Sequence, residues 1–304
     1  MKKNAFDVVC FGEVLWDLLP SGALPGGAPM NVAYHLKKLG LEPALISRTG
    51  MDSRGDELLN ILERNQLAID FIQRDPEHLT GIVEATIQSK HEVRSEIIEP
   101  VAWDFIETRK NFQDLVSASS FFIFGSLAAR NEVSRKTLME LLDAAPKKVL
   151  DINLRPPHFT KDLADRLLHS ADLLKLNEHE LPLIASWYSN LLKEEDQLRF
   201  LQDNFSIPCI LLTKGKAGAL VCSGGKISSH PGYQVKVADT VGSGDAFLAA
   251  FLFGMNKGDD FAKALAFANA LGAFIASKKG ACPDYELKEV IAFMEKPSLE
   301  KTTP

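Results

Sequence analysis

Residues 239–247 read DTVGSGDAF and run straight into the apolar stretch LAAFLFG. Gly242 and Gly244 let backbone amides turn inward, and a helix opening at about Ala246 adds unpaired N–H groups and a positive dipole end. Such a loop holds an anion. Asp245, directly after it, has the chemistry of a general base. The helix terminus is expected to lower the pKa of Asp245 and keep it ionised across neutral pH. Two better-known phosphate loops do not fit. A Walker A loop ends Gly-Lys-Ser/Thr, but the Gly-Lys pairs at 215–216 and 225–226 are followed by Ala217 and Ile227. The dinucleotide fingerprint needs a small residue where Phe247 stands, and the first strand leads into GEVLWD with Gly12 alone. Taken by itself, GSGD is equally well a tight turn with Asp245 as a favourable first-turn charge.

The elements around the loop give it a setting. DVVCFG (7–12), ALISRTG (44–50), SSFFIFGS (119–126), KVLDIN (148–153), DLLKLN (172–177) and PCILLTKG (208–215) read as buried strands. Helical patterns lie between them: PMNVAYHLKKLG (29–40), with Pro29 at the first helical position and Gly40 as a stop, RGDELLNILERN (54–65) and NEVSRKTLMELLDAA (131–145). This alternation predicts βαβ units and a mostly parallel sheet covered by helices, an α/β fold. Two stretches break the rhythm. SGALPGGAP (21–29) reads as a loop, and TGIVEATIQSKHEVRSEIIEP (80–100) as a hairpin turning at SKHE. Ligands of open α/β sheets sit at the carboxyl ends of the strands, so loop and hairpin would cover a cleft there.

Composition narrows the class. The chain has 304 residues, 46% of them hydrophobic, with a net charge of −6. It has no run of five basic residues, which argues against a nucleic-acid binder. It has no apolar span long enough for a membrane helix and no signal-peptide pattern, so a cytoplasmic protein is expected. None of the four cysteines forms a CxxC pair, so a zinc site or redox dithiol is not expected. Cys10 and Cys209 fall in apolar runs and are expected to be buried. His35 and His179, on helical patterns, are expected at the surface.

DTVGSGDAF with its apolar helix resembles the C-terminal signature of the ribokinase-like (PfkB) sugar kinases, and GGAPMNVAYHLKKLG (26–40) resembles their N-terminal one. DINLRP (151–156), KLNEHEL (175–181) and TKGKAGAL (213–220) stand between in the family's order. GEVLWDLLP (12–20) is most similar to the fructokinase subgroup; Ser243 stands where most members have alanine. The resemblance implies a single three-layer α/β/α domain over 1–304, with a small β-sheet lid from segments around 13–25 and 80–103. It implies transfer of the γ-phosphate of MgATP to a sugar hydroxyl, with fructose the leading acceptor. Asp245 would be the base, and Gly242, Ser243 and Gly244 would stabilise the transferring phosphoryl group through their amides. Asp17, Gly26, Gly27 and Asn31 would hold the sugar, and Arg155 would offer its fork to phosphate. Asn177, Thr213, Gly215, Gly218 and Asn269 would bind ATP, and Glu180 would serve Mg2+ through water. Asp239 and the carbonyls of Val241, Ala276, Lys279 and Ala281 match a potassium site in related kinases. A homodimer through lid strands is the expected assembly. Other acceptors remain open: another ketose, ribose, 2-keto-3-deoxygluconate or a nucleoside. So do two other readings, a sugar-binding regulator without catalysis and a bare NTP hydrolase.

Overall fold

The computed structural model describes residues 6–19, 22–89 and 92–295. Among them the strands are β1 (Val8–Phe11), β2 (Leu15–Leu19), β3 (Gly22–Gly26), β4 (Pro43–Gly50), β5 (Ile72–Asp75), β6 (Gly81–Ser89), β7 (Glu92–Ile97), β8 (Phe121–Gly125), β9 (Lys148–Asp151), β10 (Leu173–Asn177), β11 (Cys209–Thr213), β12 (Ala219–Ser223) and β13 (Lys226–His230). The helices are α1 (Ala28–Lys38), α2 (Ser53–Arg64), α3 (Phe112–Ser117), α4 (Glu132–Leu142), α5 (Lys161–His169), α6 (Glu180–Ser186), α7 (Glu194–Phe205), α8 (Ser243–Asn256), α9 (Phe261–Ala276) and α10 (Leu287–Met294).

Nine strands form one sheet in the order β13-β12-β11-β10-β9-β8-β1-β4-β5. All neighbours run parallel except at β11–β12 and β12–β13. β1 shows why the sheet needs helices on both faces. Its four residues are all buried; Val8 and Cys10 enter one core and Val9 and Phe11 the other, as a period of two requires. The first core takes Leu36 of α1, Leu58 of α2, Leu248 of α8 and Leu271 of α9. The second takes Leu138 of α4, Leu167 of α5 and Leu201 of α7. The result is a three-layer α/β/α body. Helix α8 is enclosed over its middle: every residue from Ala246 to Leu252 is buried, which accounts for its being apolar on all sides. No helix of the described residues is long and apolar enough to cross a membrane.

A smaller sheet has the order β3-β2-β6-β7. β6 and β7 form the hairpin expected in 80–100; Lys90 and His91 of its SKHE turn lie outside the described residues. The stretch 21–29 is not simply a loop. Its Gly22–Gly26 portion is an edge strand antiparallel to β2, and β2 in turn pairs in parallel with β6, Leu15 opposite Gly81. Glycine and proline suggested a loop, but both are tolerated on an edge. The chain leaving this sheet is fixed to the body by Arg130. Its guanidinium donates to both Asp104 oxygens at 2.7 Å and to the Ile98 carbonyl at 2.8 Å, and lies 4.0 Å from the Trp103 ring centre.

Three further expectations change. Helix α1 opens one residue before Pro29. Helix α8 opens at Ser243, so Asp245 stands inside its first turn. His35 is fully buried; its Nε2–H reaches the Ala281 carbonyl at 3.0 Å and its Nδ1 accepts from the Tyr285 hydroxyl at 3.0 Å. Burial pushes it down to about 4 against the pull of the Ala281 bond, so it is neutral. Helical spacing alone could not reveal partners some 250 residues away. His179 is exposed, and Cys10 and Cys209 are buried.

Candidate active site

The strand order reverses between β1 and β8, since the chain passes from β1 to β4 on one side and to β8 on the other. A crevice opens at the carboxyl ends of strands at such a switch point. Here a small pocket is lined by Glu13 after β1, Ala28 and Pro29 of α1, Gly125 and Ser126 at β8, and Asp151 and Asn153 at β9. The first turns of α1 and α8 meet beside it. Asn31 donates its Nδ2–H to Asp245 Oδ2 at 2.8 Å, and the Cys282 thiol donates to Asn31 Oδ1 at 3.3 Å. The carboxylate, which only accepts, sets which end of the amide faces it, and the thiol meets the other end.

The loop before Asp245 folds as its glycines demand. Gly242 has φ 75, and a Cβ there would overlap Ala281 at 2.5 Å. Gly244 faces the Lys175 ammonium, which would lie 3.2 Å from a Cβ. Gly244 and Asp245 are the second and third residues of α8, so their amides have no carbonyl within the helix. The Ser243 amide is turned toward Thr240 O at 3.3 Å. Lys175 is buried and spans both Asp151 oxygens at 3.0 and 2.8 Å, from the position opposite it on β9. Burial alone would lower the Lys175 pKa, but the Asp151 and Asp245 carboxylates override it and hold it above the ordinary value. The Lys175–Asp151 pair thus lies beside a glycine loop whose Gly244 and Asp245 amides have no partner within the helix.

Asp245 keeps part of its surface open to the cleft, yet its walls are dense. Burial raises its pKa to about 6, Asp151 adds to the rise, and Lys175, Asn31 and Arg155 oppose it. The expected downward shift from the helix terminus is therefore overturned: desolvation outweighs the dipole. A carboxylate near 6 is still ionised at neutral pH and is a better proton acceptor than an ordinary aspartate. Asp17, on β2, is also raised by burial, with Arg155 opposing and Asp239 adding. Its carboxylate lies against Gly26, where no Cβ would fit. Gly27 has φ 115 and packs on the Glu13 carbonyl. Asp17 thus meets Gly26, and Asn31 meets Asp245, while Arg155 lies near enough to act on both carboxylates.

The other expected residues fall into two groups. Asn177 and Glu180 form a reciprocal cap: Asn177 Oδ1 accepts from the His179 and Glu180 amides at 2.9 and 3.0 Å, and Glu180 Oε2 accepts from the Asn177 amide at 2.8 Å. Glu180 Oε1 takes the Leu154 amide at 2.8 Å. Glu180 is buried, and its pKa is raised by burial and by Asp151. No group of three or more His, Cys, Asp or Glu among the described residues is arranged to hold a metal ion directly. Thr213 pairs with Asn177 across β10–β11. Gly215 and Gly218 have φ 51 and 84 in the hairpin beyond it. Asn269 is buried, its amide donating to Leu265 O at 2.8 Å in its own helix. Around the expected potassium loop, Asp239 accepts from the Val241 and Gly280 amides at 3.0 and 3.1 Å. The Ala276 carbonyl accepts from the Ala238 and Asp239 amides at 2.9 and 3.2 Å, and the Ala281 carbonyl is held by His35. Lys279 stands between these two in the same loop.

Sequence reasoning assigned no role to Lys175, Asp151 or Glu13. A signal existed for the first two. A lysine in the apolar run LLKLN must have an anion beside it if the run is a buried strand, and the neighbouring strand ends KVLD.

Fold and site together define an α/β phosphotransferase with a hydroxyl acceptor. The chain belongs to the pfkB family: the model described as "pfkB family carbohydrate kinase" matches residues 22–288. It is 31% identical to a fructokinase of Klebsiella pneumoniae over 89% of this chain and 93% of that one. To probable fructokinase-5 of Arabidopsis thaliana it is 30% identical, over 91% and 93%. Among solved structures it resembles fructokinase from Vibrio cholerae O395 in its fructose, ADP and calcium ion bound form, with TM-score 0.83 and 25% identity over 96% of this chain and all of that one. The protein is a carbohydrate kinase, moving a phosphoryl group to a sugar hydroxyl.

Proposed function

We propose that this kinase phosphorylates fructose from MgATP, giving fructose 6-phosphate and ADP. The observation that carries the reading is the 2.8 Å bond between Asn31 and Asp245, which joins the sugar loop to the base. Fructose is favoured by the relatives, fructokinases at 30 and 31% identity. Asp17, Gly27 and Asn31 hold the sugar hydroxyls, and the smaller sheet acts as a lid over them. Asp245 takes the proton of the acceptor hydroxyl as its oxygen bonds to the γ-phosphorus, and the bond to the bridging oxygen of ADP breaks. Negative charge on the transferring group meets the Gly244 and Asp245 amides above the Lys175 ammonium. Mg2+, when bound with the nucleotide, neutralises phosphate charge; Asn177 and Glu180 would hold its water shell.

The test is ADP release over a panel of fructose, other ketoses, ribose, 2-keto-3-deoxygluconate and nucleosides, with and without potassium. Fructose should rank among the best acceptors by kcat/KM. A different best acceptor sinks the fructose assignment. ATP loss without phosphosugar would make the protein an NTP hydrolase, and no turnover with any sugar would leave a sugar-binding regulator.

A further inference from the structure

Glu13 lies at the switch point itself and is only 3% exposed. It follows Gly12, which has φ 143 and packs against Pro29 and Ala128. Its Oε1 accepts from the Ala28 amide at 3.3 Å. Its Oε2 is buried with no hydrogen-bond partner among the described residues. Its main-chain carbonyl packs against Gly27. Helix α1 begins on Gly27, which offers no side-chain cap. The Asn31 amide closes the first turn on the Gly27 carbonyl at 2.9 Å, and the Asn31 side chain ends on Asp245. One buried carboxyl therefore stands at the head of a chain of contacts that runs through the acceptor loop to the base.

We propose that Glu13 is a positioning residue for phosphoryl transfer, capping α1 from outside the helix and so holding Gly27 and Asn31 in register with Asp245. The proposal rests on the sugar-kinase reading above. A cap supplied from β1 has a reason. A short side chain at position 27 would collide with the Glu13 carbonyl and crowd the place where a sugar meets the backbone. The cap thus comes from behind, leaving the cleft side of the loop bare. The charged groups facing Glu13 are Asp245 from α8, Arg155 beyond β9 and Asp151 at the end of β9. Burial raises its pKa to about 7; its own and the Ala28 amides pull down, Asp245 adds to the rise and Arg155 opposes it. Protonation on Oε2 leaves Oε1 free to accept, so the cap persists through the titration and only the charge beside Asp245 changes.

The test compares Glu13→Ala and Glu13→Gln in steady-state kinetics with sugar and ATP each varied, across pH on both sides of 7. Glu13→Ala should raise the KM for sugar roughly three- to thirtyfold, the range for losing an N-cap acceptor, with the KM for ATP unmoved. Glu13→Gln keeps an acceptor oxygen and should recover most of that loss. Its kcat/KM profile should lose one of the two ionisations that the Glu13 and Asp245 carboxyls give together and keep the other. Equal losses in the two variants, or a KM for ATP rising in step with that for sugar, would mark Glu13 as core filling and overturn the proposal. If Glu13→Ala does not fold, the Gln profile decides alone: an unaltered pair of ionisations overturns the assignment. Wild-type protein without turnover on any sugar overturns the reading and the proposal together, whereas active wild type with unchanged variants overturns the proposal only.

Discussion

Two sets of helices begin in different ways. In α2, α4 and α9 a short polar side chain closes the first turn: Asp52 accepts from the Gly55 amide, Asn131 from Val133 and Asp260 from Lys263. Helices α1 and α8 begin on Gly27 and Gly242, both at positive φ and neither with a side chain reaching back. Every helix start has orphan amides. The first set satisfies them locally and finishes the fold. The second leaves them open at the cleft, with Glu13 behind α1 and Lys175 beneath the start of α8. Helix α6 lies between these cases, because its N-cap residue His179 lends no side chain and Asn177 Oδ1 takes the His179 and Glu180 amides instead. Side-chain caps are missing at α3 and α7 as well, so what sets α1 and α8 apart is a glycine at positive φ at the helix start, which leaves the approach to the first-turn amides bare.

The strongest way to break this contrast is Asp245→Asn. The amides of α8 stay, and only the proton acceptor goes. Turnover should fall by a factor on the order of 10² to 10⁴, with little change in the KM for ATP. A loss below about tenfold, well outside that range, would leave Asp245 as a helix-start charge. Stability should move the other way. Because burial lifts the folded-state pKa to about 6, folded wild type holds a proton that the unfolded chain has already released. Wild-type stability therefore declines as pH rises from the ordinary aspartate range through about 6. The asparagine variant lacks that decline, so its Tm should exceed wild type above pH 6 and converge with it in acid. In wild type, kcat/KM should fall as pH drops through about 6, where the base is protonated.

Gly242→Ala attacks the loop. The φ of 75 is unfavourable for alanine, and the new Cβ would overlap Ala281. Stability should fall by roughly 1–3 kcal/mol, and an ångström-scale displacement of the amides should cost on the order of 10² in turnover. Wild-type turnover in this variant would show that the loop geometry is not used.

Asp260→Ala sharpens the other side. The Asp260 carboxylate caps α9 at the Lys263 amide, at 2.8 Å. Its loss should cost about 1 kcal/mol of stability, read as a lower Tm, while kcat and both KM values stay at wild type. A changed kcat would mean that the locally capped helices also take part in the site.

Much of this was legible in the chain. The alternation of apolar strands and amphipathic helices gave the parallel sheet, and the glycines of GGAP and GSGD marked both bare helix starts. What stayed hidden was set by distance in space. The strand at Gly22–Gly26 exists because β2 offers it an edge. His35 is buried because Tyr285 and Ala281 supply partners. The rise in the Asp245 pKa comes from burial, with Asp151 adding to it, and local charge patterns show neither. The Lys175–Asp151 pair needed the register of β9 against β10.

Ser243→Ala should have the smallest effect, and it separates backbone from side chain within the loop. Ser243 is the first residue of α8. Its amide leans on the Thr240 carbonyl at 3.3 Å, and its hydroxyl makes no hydrogen bond among the described residues. Gly242 is required both by its φ and by the closeness of Ala281, whereas position 243 lies in ordinary helical backbone that alanine adopts at least as well. Stability should therefore stay within about 0.5 kcal/mol of wild type, with kcat and the KM for ATP close to unchanged. If turnover instead fell by about tenfold, a barrier change near 1.4 kcal/mol, the hydroxyl would be donating to the transferring phosphoryl group. The anion site would then depend on a side chain as well as on bare amides, and the distinction between the two kinds of helix start would hold for α1 alone.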